Sequence, residues 1–179
     1  VPGTGNGSDE GVVRLDPLWT HARPGLALAG GVVYTTFASH CDREAYHGWI
    51  VAYDAATLRQ RGVYNPTADG ENGGIWQSGA APSIDDDGDL YFTVGDGTAT
   101  PDTSPPQLGN SVGRLRLGDD GFRVVDWFTP FNHADLFRRD MDLGSTGVLL
   151  VPHTRLALVG SKEGILYLLD RDAMGHFRA

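Results

Sequence analysis

A repeated pair of strand-like segments is the feature that most restricts what this chain can form. Three times, an apolar and β-branched run reaches a turn, and a second run follows that ends in or near an aspartate. The three pairs are 31–37 with 48–54, 89–94 with 111–117, and 156–160 with 164–170. A single unit of this kind cannot bury its own apolar face, so the units are expected to stack on one another.

Further strand-like segments flank these pairs. A short segment rich in small residues precedes every pair, and another strand follows the first two pairs. These segments are 25–28, 80–84 and 147–151 before the pairs, and 61–64 and 122–128 after them. Four antiparallel strands bounded by Gly and Asp turns are typical of a propeller blade. The sequence therefore predicts an all-β fold, a β-propeller of four-stranded antiparallel blades.

The repeat provides about three blades. They are expected at residues 21–66, 75–130 and 143–179, and residues 1–20 form a loop or the end of a preceding blade. The third unit lacks its fourth strand, and a propeller closes only with at least about four blades. We therefore expect the chain to be a fragment of a longer propeller, or to complete its ring by association.

Charge and composition exclude several classes of function. The chain has 179 residues and a formal net charge of −9, which disfavours nucleic acid and anionic membrane surfaces because both require a basic protein face. Its apolar runs are much shorter than the roughly 20 residues of a membrane-spanning helix, so no membrane span is expected. Cys41 is the only cysteine, which rules out an internal disulfide.

Strand order assigns the loops to two faces. Antiparallel strands alternate in direction, so the loops that enter each unit and the loops that join its second and third strands lie on one face. These loops are 21–24, 76–78 and 142–145, together with 39–47, 95–110 and 161–163. The opposite face receives short acidic turns. We call the first face the loop-rich face and expect any site to lie there.

The loops that enter the units contain candidate ligand-binding residues. Trp76 lies among glycines that let a ligand approach the backbone, and its indole suits a flat ligand or a sugar. Gln77 and Ser78 would orient that ligand. The corresponding residues of the other units are Arg23, Asp142 and Ser145. The alternative is that Trp76 packs between blades.

The loop 39–47 contains a second candidate site. His40, Cys41 and His47 offer two imidazoles and a thiol, which zinc and similar metals prefer. Their spacing matches no established zinc pattern, and the alternative is a structured loop with Cys41 as a small buried residue. A nucleophilic Cys41–His47 pair is a further interpretation, although no orienting group is visible.

Two other motifs are interpreted as structural. Residues 85–89 are rich in aspartate, but an EF-type calcium loop would need an acidic residue where Val94 stands, so we predict a hairpin turn. Residues 109–113 have the glycine spacing of a hydrolase elbow without its strand-to-helix context. Residues 133–141 are expected to form one short helical turn.

One set of motifs resembles those of a known family. The motifs are 39–42, 46–49, 53–58, 73–79, 128–132, 142–145 and 162–172. They are similar to bacterial pyrroloquinoline-quinone-like (PQQ-like) β-propeller repeat proteins, of the quinoprotein alcohol dehydrogenase-like superfamily, and the similarity runs from about Arg23 onward. The quinoprotein blade motif Ala-x-Asp-x-x-Thr-Gly is matched at Ala52, Asp54 and Thr57, whereas Leu58 stands in place of the glycine.

The resemblance implies a periplasmic or secreted protein whose full propeller is longer than this chain. The leading expectation is that the loop-rich face binds a small organic ligand, a glycan or a partner. The resemblance also implies an alternative, a quinoprotein-type oxidoreductase that uses PQQ and a divalent cation such as calcium. A structural or protein-interaction scaffold is the third alternative. Expected partners are the remaining blades of a longer chain or another copy of this one.

Overall fold

The computed structural model describes residues 1–43 and 45–178. Glu44, which the sequence places in the loop 39–47, and Ala179, at the end of the third unit, lie outside the described residues. Most of the regular structure is β-strand, arranged in three sheets that follow one another along the chain. Residues 1–13 form an irregular segment whose backbone is hydrogen-bonded to residues 68–70.

The first sheet is an antiparallel meander with one added strand. Its strands are β1 (Thr20–His21), β2 (Ala27–Ala29), β3 (Val32–Ser39), β4 (Trp49–Asp54) and β5 (Gln60–Tyr64). Strands β2 to β5 pair in chain order, and β1 pairs with the far end of β3, where Thr20 lies opposite Ser39. Side chains of β3 alternate between buried and half-buried because successive residues of a strand point to opposite faces.

The second sheet repeats this arrangement. Its strands are β6 (Ser83–Ile84), β7 (Leu90–Thr93), β8 (Val112–Gly118) and β9 (Gly121–Thr129), which pair antiparallel in chain order. The β6–β7 connection is the predicted hairpin turn, because Asp85 Oδ1 accepts hydrogen bonds from the backbone amides of Asp87 and Asp89 at 3.1 and 2.9 Å. Gly88 adopts φ +81°, a conformation that glycine favours.

The third sheet has three strands, followed by a short strand that joins the second sheet. The strands are β10 (Leu149–Leu150), β11 (Leu156–Gly160), β12 (Leu166–Asp170) and β13 (His176–Phe177). Strands β10, β11 and β12 are antiparallel neighbours, whereas β13 lies parallel to β9. The predicted units thus form sheets of five, five and three strands rather than uniform sets of four.

Two apolar clusters hold the three sheets face to face. The first lies between sheets one and two and includes Tyr34, Ile50 and Phe92, and the second lies between sheets two and three and includes Tyr91 and Val159. The adjacent β7 residues Tyr91 and Phe92 therefore belong to different clusters, and all four residues of that strand are buried. This explains why apolar residues do not alternate with polar ones at 90–94, since a strand buried on both faces needs no alternation.

Helical structure is confined to short segments near the loop-rich face. Helix α1 (His133–Arg139) ends at Asp140, which adopts a left-handed conformation with φ 52°. Two 3-10 turns, Gln77–Gly79 and Leu143–Ser145, precede the second and third sheets. Within 1–43 and 45–178, no helix combines the length and the apolar character that crossing a membrane requires.

Candidate functional site

Loops from all three sheets converge on the loop-rich face. The amide of Gly95 donates to the carbonyl of Gly74 at 2.8 Å, and the amide of Lys162 donates to the carbonyl of Asp142 at 3.1 Å. Ser78 Oγ donates to the carbonyl of Ser145, which joins the turn before the second sheet to the turn before the third. Backbone contacts therefore fix the relative positions of these loops.

These loops enclose a pocket of about 450 Å³, which we call the funnel pocket. Its lining residues are Arg23, Asp42, Tyr46, Asn72, Trp76, Ser78, Asp96, Phe137, Asp140, Asp142, Ser145 and Lys162. Five of the six residues proposed from the sequence as ligand contacts are in this set, and they come from the β1–β2 loop and from the turns that precede the second and third sheets. Ligand contact by these residues remains a prediction.

Trp76 forms one wall of the funnel pocket and is half-buried. A Cβ atom on Gly95 would lie 2.8 Å from Cδ1 of this indole and 2.7 Å from Oδ1 of Asp142, so only glycine allows this approach. A Cβ atom on Gly74 would lie 2.8 Å from the indole Nε1. The glycines near Trp76 therefore accommodate the indole ring itself.

Gln77 lies behind the pocket wall and is fully buried. Its Nε2 donates to the carbonyl of Ala80 at 3.0 Å, and its Oε1 accepts from the amide of Thr93 at 3.1 Å. The side chain thus ties the 3-10 turn to β7. It belongs to the support of the pocket and does not line it.

Three aspartates at one side of the pocket surround a lysine. Carboxylate oxygens of Asp96, Asp140 and Asp142 lie within 4.8 Å of one another, and they form the only such acidic, His or Cys group in the described part of the chain. Lys162 Nζ contacts Asp140 Oδ1 at 2.8 Å and Asp142 Oδ2 at 2.5 Å. One internal ammonium group therefore already pairs with two of these carboxylates, and we interpret the group as an ion-pair network.

Asp96 is the member of this group without an ion pair to any described residue. Its Oδ1 accepts from Asn110 Nδ2 at 2.7 Å, and its amide donates to Asp142 Oδ1 at 2.7 Å. Burial raises the pKa of Asp96 to about 7, against the lowering effect of the Asn110 hydrogen bond, and the Asp142 and Asp140 carboxylates raise it further. Asp96 thus changes its protonation near neutral pH.

Tyr46 and Asp42 line the pocket from the loop 39–47. Tyr46 is 7% exposed, and burial, followed by the Asp42 carboxylate, raises the pKa of its phenol. Asp42 is exposed and accepts a hydrogen bond from Ser39 Oγ at 3.0 Å. The phenol therefore stays protonated throughout the physiological range.

The structure does not assemble His40, Cys41 and His47 into one cluster. His40 is exposed and stacks on His21 with ring centroids 4.7 Å apart, and Cys41 is exposed rather than buried. The buried His47 contacts Thr67 Oγ1 through Nδ1 at 3.0 Å and the Asn6 carbonyl through Nε2 at 2.8 Å. Both ring nitrogens of His47 are thus used to join the loop to other segments, and burial lowers its pKa.

Helix α1 closes one side of the pocket with Phe137. Two adjacent residues of the β11–β12 loop hold its ends: Asn132 Nδ2 donates to Glu163 Oε2 at 3.1 Å, and Lys162 Nζ donates to the Asp140 carbonyl at 3.2 Å. This clamp positions Phe137, which is 36% exposed, at the rim.

The sequence identified the loops that carry four of the seven remaining lining residues, but not the residues themselves. Tyr46, Asp96 and Lys162 lie in or beside the second-to-third-strand loops assigned to this face, whereas Asn72 and Phe137 lie in connections to the next sheet. The charged or aromatic character of most of these residues is the sequence feature that could have indicated a role in the pocket. Which of them face inward depends on contacts between loops of different sheets.

Comparison with known proteins supports the fold. The chain matches the solved structure of the quinohemoprotein alcohol dehydrogenase ADHIIG from Pseudomonas putida HK5 with a TM-score of 0.53 and 16% sequence identity. The match covers 83% of this chain and 26% of that chain, so this chain spans about a quarter of its length. The resemblance to a PQQ β-propeller protein is therefore confirmed at the level of the fold.

No family model and no curated protein sequence matches the chain.

Proposed function

We propose that this chain is an arc of a β-propeller and that its funnel pocket binds a small polar organic ligand. The observation that carries the proposal is the convergence on one pocket of about 450 Å³ of Arg23 from the β1–β2 loop with Trp76 and Asp142, which precede the second and third sheets. Ligand pockets commonly combine aromatic walls with a few converging polar groups, and this volume suits a small molecule.

The propeller arrangement is supported by the stacking of the sheets. Sheet two is covered on both faces, whereas sheets one and three each have only one described neighbour. Leu28 of β2 is 70% exposed and Leu168 of β12 is 60% exposed. Further blades, from a longer chain or from a second copy, would cover these faces in the way that sheet two is covered.

Unused hydrogen-bonding groups in the pocket support a polar ligand. Arg23, Asn72 and Trp76 line the pocket, and their side chains make no hydrogen bond to another residue in the described part of the chain. Polar groups in a concave site are stabilised when a ligand pairs with them.

A small-molecule screen by thermal shift tests this proposal. The chain and its Trp76→Leu variant are compared, with Phe131→Leu as the control because Phe131 is 75% exposed and lies outside the pocket. We expect ligands that raise the melting temperature of the original chain and of Phe131→Leu but not of Trp76→Leu. Stabilisation that is equal in all three proteins would place binding elsewhere, and a screen without any stabilising compound would contradict the proposal.

A quinoprotein-type oxidoreductase is the second candidate, favoured by the fold match and by an indole in the pocket. When bound, PQQ with a divalent cation would supply a two-electron oxidant for an alcohol substrate. The carboxylates do not fit a divalent cation as they stand, because Lys162 contacts Asp140 and Asp142 while Asn110 binds Asp96. We therefore expect no dye reduction and no stabilisation when PQQ and calcium are added. Alcohol-dependent dye reduction would establish the second candidate instead.

A further inference from the structure

We propose that the ligand of the funnel pocket is a small organic cation, an amine or a quaternary ammonium compound. This inference rests on the proposed function, because it names the class of ligand for the same pocket. It is drawn from three features of the lining: aromatic side chains around the cavity, an excess of carboxylates over cationic groups, and an ammonium group already bound at one side.

Aromatic side chains occur on three separate segments around the cavity. Tyr46 comes from the loop 39–47, Trp76 precedes the second sheet, and Phe137 belongs to α1. A cation near the face of an aromatic ring is attracted by the negative charge above and below the ring plane, most strongly for tryptophan. Aromatic residues that line a cavity from several sides are a known arrangement for quaternary ammonium groups.

Carboxylates outnumber cationic side chains in the same lining. Two lining side chains are cationic, Arg23 and Lys162. The acidic ones are Asp42, Asp96, Asp140 and Asp142. Lys162 pairs with Asp140 and Asp142, whereas Asp42 and Asp96 have no ion pair with any residue in 1–43 or 45–178. Two carboxylates are therefore available to a cationic ligand.

The contacts of Lys162 show that this part of the pocket stabilises an ammonium group. Its Nζ lies 2.8 Å from Asp140 Oδ1, 2.5 Å from Asp142 Oδ2 and 3.2 Å from the Asp140 carbonyl. A ligand ammonium placed beside Asp96 would pair with this carboxylate in the way that the Lys162 ammonium pairs with Asp140 and Asp142. An anionic ligand would instead approach four aspartates, with Arg23 as the one lining cation that pairs with no described residue.

Asp96 gives cation binding a characteristic pH dependence. The charged groups facing it are Asp140, Asp142 and Lys162, with the Tyr46 phenol and Arg23 in the same lining. Its pKa of about 7 means that it is largely protonated in mild acid. A cation beside it favours the carboxylate, so binding releases a proton and becomes stronger as the pH rises through neutrality.

The test compares choline with two analogues of nearly the same shape. One is the neutral alcohol in which a tert-butyl group replaces the trimethylammonium group of choline. The other keeps this tert-butyl group and has a carboxylate in place of the alcohol, so it is an anion. Binding is followed through the indole N–H signals of the four tryptophans, with that of Trp76 assigned by its loss in Trp76→Leu. The other variants are Asp96→Asn and, as a control for charge, Asp119→Asn in the exposed β8–β9 turn.

We expect choline alone to shift the Trp76 signal, with about tenfold weaker binding in Trp76→Leu, as followed by calorimetry. Affinity should rise about tenfold between mildly acidic and mildly alkaline pH. This rise should disappear in Asp96→Asn and persist in Asp119→Asn.

Two other outcomes separate this inference from the proposed function. If the alcohol or the carboxylate binds as well as choline and still requires Trp76, the pocket is a ligand site and the cation inference is wrong. If choline, both analogues and the wider screen all fail to bind, the proposed function is wrong as well. Choline binding that Asp96→Asn and Trp76→Leu leave unchanged would also overturn the inference, because the cation would then bind elsewhere.

Discussion

Gln77 lies between two pocket residues in the sequence but does not face the pocket. The backbone at Gln77 and Ser78 has positive φ angles of 45° and 49°, which turns consecutive side chains in directions that no strand or helix pattern predicts. Gln77 consequently points inward to Ala80 and Thr93, while Trp76 and Ser78 line the pocket. The sequence alone identified residues 76–78 as a candidate site. The left-handed turn determines which of their side chains face the pocket.

At the same scale, Asp96 predicts how stability depends on pH. Burial, then the neighbouring Asp142 and Asp140, raise the pKa of Asp96 to about 7 in the folded protein, whereas an unfolded aspartate titrates near its ordinary value. Between these two values the folded state binds more protons than the unfolded state, so the Asp96 contribution to stability falls as the pH rises from about 4 to about 7.

Replacing Asp96 with asparagine should remove this contribution. We expect the free energy of unfolding of Asp96→Asn, relative to that of the original chain, to increase by roughly 1–3 kcal/mol from pH 4 to pH 8. Urea unfolding at both pH values measures this difference. Asp119→Asn, in an exposed turn, should follow the original chain. A stability difference between Asp96→Asn and the original chain that does not change with pH would show that Asp96 titrates normally.

At the scale of elements, repeated patterns located the strands that recur from unit to unit and missed two short strands outside the repeat. Strands β4, β7, β11 and β12 lie within the segments expected from the repeat, and β3 and β8 extend past theirs by two residues and one residue. The two-residue strands β1 and β13 pair with β3 and β9, and two residues carry no periodic signal. Their pairing is determined by where the folded chain places them, so the sheets have five, five and three strands.

The clamp on α1 predicts a role for Lys162. Because its Nζ contacts Asp140 and Asp142, Lys162→Met should loosen the end of α1 and accelerate amide hydrogen exchange at residues 133–139. It should also raise the pKa of Asp96 further, since the Lys162 charge lowers it. Hydrogen exchange and carboxyl NMR titration measure these two effects.

Arg138→Met is the matched control for that substitution. Arg138 pairs with Asp135 on the surface of α1 at 2.6 Å, and its side chain is 73% exposed. Exposed pairs contribute at most about 1 kcal/mol, so hydrogen exchange in α1 should change little. If Arg138→Met and Lys162→Met have equal effects, the clamp does not position the helix.

At the scale of the whole molecule, the repeat indicated the order of the units and the face of the site. The direction of successive strands places the entry loops together, and the structure brings residues from all three of them into one pocket. The sequence could not provide the volume of that pocket or its ion pairs. These depend on close backbone approaches such as Gly95 against Trp76 and Asp142, which involve residues from three segments.

The uncovered outer sheets predict self-association of the isolated chain. Leu28 is 70% exposed on sheet one and Leu168 is 60% exposed on sheet three, and exposed apolar faces favour association. We expect concentration-dependent oligomers in sedimentation experiments, reduced by Leu28→Lys combined with Leu168→Lys. Leu58→Lys is the control, because Leu58 is 71% exposed in the turn before β5. A monodisperse monomer at all concentrations would contradict this prediction.

Mapping backbone amide shifts during titration with a ligand from the screen tests whether the loop-rich face holds a ligand site. We expect shifts at Asn72, Trp76, Asp96 and Asp142, and none at Asp86, Gly88 and Asp119 in turns outside the pocket. Shifts concentrated at those turns, or spread evenly over the chain, would contradict this expectation.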